Sequence, residues 1–228
     1  MPAINTLLNG SINVVSGRQA LAANGNYFIC TNPTPGTAVA YANQTAFSAT
    51  ANGLFAFANT NPVGGKSCYL DRIRLLQTAT APTGGLVTRF EVISETGIVA
   101  MTGNVATRTP VNVNTGTANS TGITVQSFAA GAATVPAAVG TRRTIFPGSV
   151  ASGVDVAHTS WTLEFGADGS AVGTTALTAA RATAAADLVT YAPPVVVAPN
   201  TTVWINLWGI TPAANVPSYE FAVMYAEL

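Results

Sequence analysis

PPVVVAPNTTVWINLWG, residues 193–209, carries the clearest strand pattern in the chain. Val195, Val196 and Val197 lead into Ala198, Pro199, Asn200 and Thr201, and a second run follows from Thr202 to Trp208. Pro199 presets its φ for the second position of a turn, and Asn200 tolerates the left-handed region. The pattern predicts two strands joined by a tight turn, a hairpin. Beyond the turn, Val203, Ile205 and Leu207 alternate with Trp204, Asn206 and Trp208, the period of two of a β-strand. No charged residue falls between Asp187 and Glu220. A hairpin so apolar is expected to be covered on both faces, by a second sheet or by another subunit.

The 228-residue chain as a whole fits that expectation. Charged residues are 8% of it, against about a quarter in ordinary soluble domains. Hydrophobic residues are 48%, mean hydropathy is +0.37, and 9 Lys+Arg balance 9 Asp+Glu. Near-zero net charge favours association. A membrane protein is not expected, because no apolar run approaches the roughly 20 residues of a spanning helix and the strand spacing is too irregular for a transmembrane barrel. An assembly subunit is the expectation. No signal peptide is expected from MPAINTLLNGSINVV, which has neither a basic nor a compact apolar region. Cys30 and Cys68 lie far apart and read as buried free thiols rather than a disulfide. The sequons at Asn9, Asn43, Asn119 and Asn200 are chance products of a Thr- and Asn-rich chain.

Along the chain, residues 1–36 read as an N-terminal arm or lead-in segment, with a first strand of the main domain as the alternative. Gln19 to Ala23 could form a helical turn, Tyr27 to Cys30 a short strand, and NPTPG (32–36) ends the segment. Residues 37–228 read as one β-sandwich. Strands are expected at 38–47, 54–59, 66–78 and 86–95, the last two as a hairpin that brings Arg72 or Arg74 near Glu91. In the first of that pair, Tyr69, Asp71, Ile73 and Leu75 would share a face. The Thr-, Ala-, Asn- and Gly-rich middle, 97–153, suits long loops or short edge strands. Trp161, Leu163 and Phe165 alternate with Thr162 and Glu164. TALTAARATAAADL (175–188) is the one expected helix, being rich in strong formers and free of Gly and Pro. The last strand sets Tyr219, Phe221, Val223 and Tyr225 against Glu220, Ala222, Met224 and Ala226. About eight strands with Gly/Pro turns and at most one short helix make an all-β antiparallel sandwich.

No catalytic residue, cofactor site or metal site is assigned. His158 is the single histidine, with Asp155 three positions away, and a triad would need a nucleophile beside them. A zinc site would need several more ligands, and GADGS (166–170) reads as a turn. Phosphate-binding glycine motifs are absent. Nine scattered cations make no basic field, so nucleic acid is not an expected partner. The adjacent pair Arg142 and Arg143 could meet an acidic patch on a partner, or be a solvated loop. Trp161, Trp204 and Trp208 are candidate core or interface aromatics. Trp204 and Trp208, on one strand face, could alternatively stack on sugar rings.

The stretch at 195–208, the run KSCYLDRIRLLQTATAPTGG (66–85) and PVNVNTGTANS (110–120) together resemble virion structural proteins of tailed bacteriophages. More specifically they are similar to the jelly-roll subunits that decorate or cement phage capsids. The resemblance is of style and spacing over about residues 37–228. It implies a non-enzymatic jelly roll bound as a small homo-oligomer, a dimer or trimer, to the capsid proteins of the same virion. Its place would be the capsid surface, after assembly in the host cytoplasm. Such families have no catalytic residues to carry over. A single-jelly-roll major capsid protein and a carbohydrate- or receptor-binding module of a virion fibre are the alternatives.

Overall fold

The computed structural model describes residues 3–6, 12–15, 17–41, 53–79, 86–120, 122–152, 160–166, 187–209 and 218–228. Its strands are β1 (Ala3–Thr6), β2 (Ile12–Val15), β3 (Tyr27–Thr31), β4 (Val39–Ala40), β5 (Gly53–Asn59), β6 (Cys68–Ala79), β7 (Leu86–Thr96) and β8 (Thr102–Arg108). They continue with β9 (Val111–Asn112), β10 (Ile123–Thr134), β11 (Arg142–Ser152), β12 (Ser160–Phe165), β13 (Asp187–Ala192), β14 (Val196–Val197), β15 (Thr201–Gly209) and β16 (Ser218–Glu227). One helix, α1 (Gly17–Ala23), is found among the described residues. The helix expected at 175–188 lies outside them except for Asp187 and Leu188, which begin β13.

The protein is an all-β sandwich. Sheet I runs β11-β7-β15-β5-β10-β8, and sheet II runs β13-β12-β6-β16-β3-β9, with β14 added on β6 and β4 on β16. Pairing within both is antiparallel except for the parallel pair β12–β13. The hairpin β1–β2 forms a separate two-stranded sheet. Of the two readings of residues 1–36, the strand Tyr27–Thr31 is the first strand of the sandwich, held between β16 and β9.

Aromatic rings tie the two sheets together. Phe55 of sheet I meets Phe221 of sheet II edge-on at 5.1 Å, and Phe90 meets Trp161 at 6.0 Å. Phe128 reaches both Phe221 and Tyr219, at 5.9 and 6.5 Å. Such pairs add about 0.5–1.5 kcal/mol beyond the area they bury. The alternation expected for 161–165 holds, and that of the last strand holds up to Tyr225: Trp161, Leu163, Phe165, Tyr219, Phe221, Val223 and Tyr225 are buried, but so is Ala226, expected on the opposite face.

Two expected hairpins are corners between sheets. Val196 and Val197 pair with Tyr69 and Cys68 of β6, whereas β15 pairs with β5 and β7. The turn itself is as expected: Asn200 has φ 56°, and Thr201 Oγ1 donates to Ala198 O at 2.6 Å. Asn200 N donates to Asn59 O, and Asn200 O accepts from Gly97 N, both at 2.9 Å, so the turn is stitched to sheet I. Likewise β6 and β7 belong to different sheets, so Arg72 and Arg74 do not face Glu91. The backbone polar groups of these strands are satisfied by sequence-distant neighbours, which local turn chemistry cannot specify.

The face expected for β6 is also broken. Arg72 pairs with Met224 and Leu70 with Tyr225, which leaves Asp71 as an extra residue. This bulge switches the inward side from Cys68 and Leu70 to Ile73, Leu75 and Gln77. Tyr69 is therefore turned outward, 40% exposed, while Leu70 is buried. In the middle region β10 and β11 are full strands, of 12 and 11 residues, rather than short edges. The small-residue segment of β10 accommodates a bulge against β8 between Phe128 and Ala133. Gly131 there has φ 134°, and a Cβ would sit 2.4 Å from the Asn104 amide.

Candidate functional site

Part of the outer face of sheet I is covered by the chain itself. Val99, Met101 and Val135 are buried over it. Val99 N donates to Thr202 Oγ1 at 3.0 Å, and that hydroxyl donates to Gly97 O at 2.9 Å. Met101 N donates to Gln126 Oε1 at 2.8 Å. Under this cover sits Trp204, 0% exposed. It cannot stack on a sugar, and it is a core aromatic. Its neighbour across the sheet is Ile93 on one side and Ala56 on the other. Trp161 is a core residue between the sheets, 2% exposed. Neither indole nitrogen has an acceptor among the described residues. The side chain of Trp208 lies outside the described residues.

Arg142 and Arg143 do not form a basic pair. As consecutive strand residues they point to opposite faces of β11. Arg142 lies over the Trp204 ring, donates from Nε to Glu95 Oε2 at 3.2 Å, and donates from Nη2 to Pro136 O at 2.6 Å. Arg143, exposed, donates from Nε to Ser94 Oγ at 3.0 Å. The sequence shows two adjacent cations, but the strand period separates them and an internal carboxylate takes the first. A second buried carboxylate, Glu91, lies opposite Asn206 and accepts a hydrogen bond from Thr144 Oγ1 at 3.0 Å. Burial holds its carboxyl above the usual glutamate range.

Sheet II is different: among the described residues its outer face carries α1 at one corner. Arg18 of α1 forks onto Asp71, Nε to Oδ2 and Nη2 to Oδ1, both at 2.8 Å, and reaches Glu164 Oε1 at 2.7 Å. Arg72 Nη2 donates to the same Glu164 oxygen at 3.0 Å. The Tyr27 hydroxyl donates to Asp71 Oδ2. The Arg18 guanidinium is held charged chiefly by its bond to Asp71, and Glu164 is held below the usual range chiefly by its bond to Arg18. Burial pushes the Tyr27 phenol up. The C-terminal end of α1 is fixed by the end of β9 and the loop after it: Asn112 Nδ2 donates to Gly25 O at 2.8 Å and Asn114 Nδ2 to Ala23 O at 3.0 Å. Sequence reasoning missed this network. Arg18 and Asp71 are 53 residues apart, and only the Asp71 bulge turns that carboxylate to the helix side.

The rest of that face presents Arg72, Arg74, Thr162, Glu164 and Val189 around one shallow groove, and Arg74, Leu76, Glu220 and Ala222 around the next. Among the described residues this surface is of mixed polarity. His158 and Asp155 lie outside the described residues. Among the described residues no group of three or more His, Cys, Asp or Glu could hold a metal ion. Cys30 and Cys68 are free and buried. No helix among the described residues is long and apolar enough to cross a membrane. No family model, curated protein or solved structure matches the chain.

Proposed function

We propose that the chain is a virion structural protein, a capsid decoration or cement subunit that binds a phage head as a small homo-oligomer. The observation that carries the reading is the strand order. Setting aside β14 and β4, the end strands β13 and β9 of sheet II, and β10 and β8 at one end of sheet I, sheet II reads β3-β16-β6-β12 and sheet I reads β5-β15-β7-β11. Counted along the chain these eight strands are ordered 1-8-3-6 and 2-7-4-5. That order supports reading the sandwich as two interlocked Greek keys, a jelly roll, an architecture used in viral capsid subunits. In this reading β8 and β10 extend one sheet and β13 and β9 the other, enlarging the surface available for contact.

The surface chemistry supports the same conclusion. A subunit that binds one lattice in many copies gains avidity through effective concentration, so each contact can be modest. The broad sheet II face and the low charge content suit apolar and hydrogen-bonded contacts, which salt weakens little. The fibre-module alternative loses its stated basis at Trp204, which is wholly buried.

The test is to mix purified protein with empty phage heads that lack it and to locate it by cryo-electron microscopy. Binding at defined lattice positions is the expected result. Closed shells assembled from this protein alone would make it a major capsid protein instead. No binding and no shells would remove the reading.

A further inference from the structure

The outer edge of β8 is unpaired among the described residues: β8 is bonded to β10 and ends sheet I. Thr102, Gly103, Asn104 and Thr107 along it are exposed. Such an edge directs a row of peptide donors and acceptors sideways, and proteins usually blunt it with lysine, proline or a covering segment. The sequence TGNVATR of β8 has neither lysine nor proline, and its one charge is the final residue, Arg108.

Arg108 turns inward between the sheets. Its Nε donates to Ser127 Oγ at 2.7 Å, its Nη2 lies 3.5 Å from Phe128 O, and its guanidinium stands 5.5 Å from the centre of the Phe221 ring. Among the described residues no carboxylate reaches it, in contrast to Arg18, Arg72 and Arg142. Partial burial lowers its pKa, as expected for a cation removed from water without an anion beside it. A groove lined by Thr31, Asn32, Thr107, Arg108 and Thr109 opens next to it. The Asn32 side chain is occupied, donating to Thr37 O and accepting from Phe221 N, so the guanidinium is the strongest donor there.

We infer that the β8 edge and the Arg108 groove form a strand-docking site, where an extended segment of a partner protein adds to β8 and places a carboxylate on Arg108. Main-chain bonds to β8 would supply affinity, and the carboxylate would supply register. That carboxylate is assigned to a partner: among the described residues Asp71 and Glu164 are paired with Arg18 and Arg72, Glu91, Glu95 and Glu227 are buried, and Glu220 accepts a hydrogen bond from Gly36 N. The inference rests on the reading of the chain as an assembly subunit and names one of its contacts.

The experiment titrates the full-length, isotope-labelled chain with the blocked peptide Thr-Val-Glu-Val-Thr, its Glu-to-Gln counterpart, and sodium acetate. The acidic peptide is expected to shift the amide signals of residues 102–109 saturably and to slow their hydrogen exchange. It should bind at least tenfold more tightly than the Gln peptide. Arg108→Gln should abolish that difference, and Arg108→Lys, which retains the charge, should keep part of it. Unchanged β5 and β15 amides certify the fold of each variant. Equal binding of the two peptides to the native chain, or acetate alone reproducing the shifts (an adventitious ion only), overturns the inference. Head binding by the native chain that Arg108→Gln leaves unaltered overturns it as well, while the assembly reading survives. Loss of head binding by the native chain, with the peptide result intact, fails the assembly reading alone.

Discussion

The Arg142 guanidinium stands 4.8 Å from the centre of the Trp204 ring and also bonds Glu95, whose side chain is fully buried. One cation thus covers the indole face and neutralises an internal carboxylate. Trp204→Ala is expected to cost about 3–5 kcal/mol in urea unfolding, the usual range for deleting a buried tryptophan. Arg142→Ala should cost about 3 kcal/mol, because it leaves Glu95 buried without its cation. Adding Glu95→Gln to Arg142→Ala should recover at least about 1 kcal/mol, a coupling that a double-mutant cycle measures directly. Additive losses would show that the two side chains do not interact.

Asn200 holds φ 56° at the corner between β14 and β15. Asn200→Gly is expected to change stability by no more than about 0.5 kcal/mol, since glycine adopts this backbone freely. Asn200→Ala should cost about 1–2 kcal/mol from the left-handed strain. Thermal unfolding of the two variants distinguishes backbone strain from loss of the amide.

Glu91 and Glu164 should tilt the pH dependence of stability in opposite directions. Glu91 is raised by burial, so the folded state holds its proton more tightly than the unfolded chain does. Its contribution is full below the unfolded pKa of about 4.3 and is lost as pH rises through the higher folded value. Glu164 is lowered, chiefly by Arg18, so its contribution is present above that unfolded pKa and is lost as pH falls through the folded value. Glu91→Gln should therefore flatten the decline on the high-pH side of 4.3, and Glu164→Gln should flatten the decline on the acid side. Urea midpoints measured from pH 3 to pH 8 check both; identical profiles for the variants and the native chain would refute the assignment.

The two thiols are unpaired and shielded. Burial pushes Cys30 up to about 12 and Cys68 well above its ordinary range. Thiolate is the reactive form, so neither should react with a disulfide reagent at pH 8 in the native protein. Unfolding without reductant should release two titratable thiols. Fewer than two would indicate a disulfide.

Much of the fold class is written in local pattern. Alternation over Trp161–Phe165 and Tyr219–Tyr225 identifies buried strands, because a pleated strand exposes its residues to opposite sides in turn. Proline followed by asparagine at 199–200 identifies a turn, because those residues suit its dihedral angles. The contact residues were less legible. Arg142 and Arg143 look like one charged patch, yet Arg142 is taken by Glu95, 47 residues away in the chain. Trp204 reads from sequence as a core or interface aromatic or a sugar-stacking one, and residues distant in sequence decide it by closing over the ring.

Residues 193–209 mark where local pattern stops being informative. Strand, turn, strand and the alternation of Val203, Ile205 and Leu207 follow from side-chain period and backbone preference alone. That the turn is a corner, sending β14 to β6 and β15 between β5 and β7, depends on which distant strands offer unpaired peptide groups at each place. The same limit applies to Asp71, whose bulge reverses the inward side of β6 and delivers a carboxylate to Arg18. Period and propensity act over a few residues, whereas sheet partners and register are set by the simultaneous burial of both sheets.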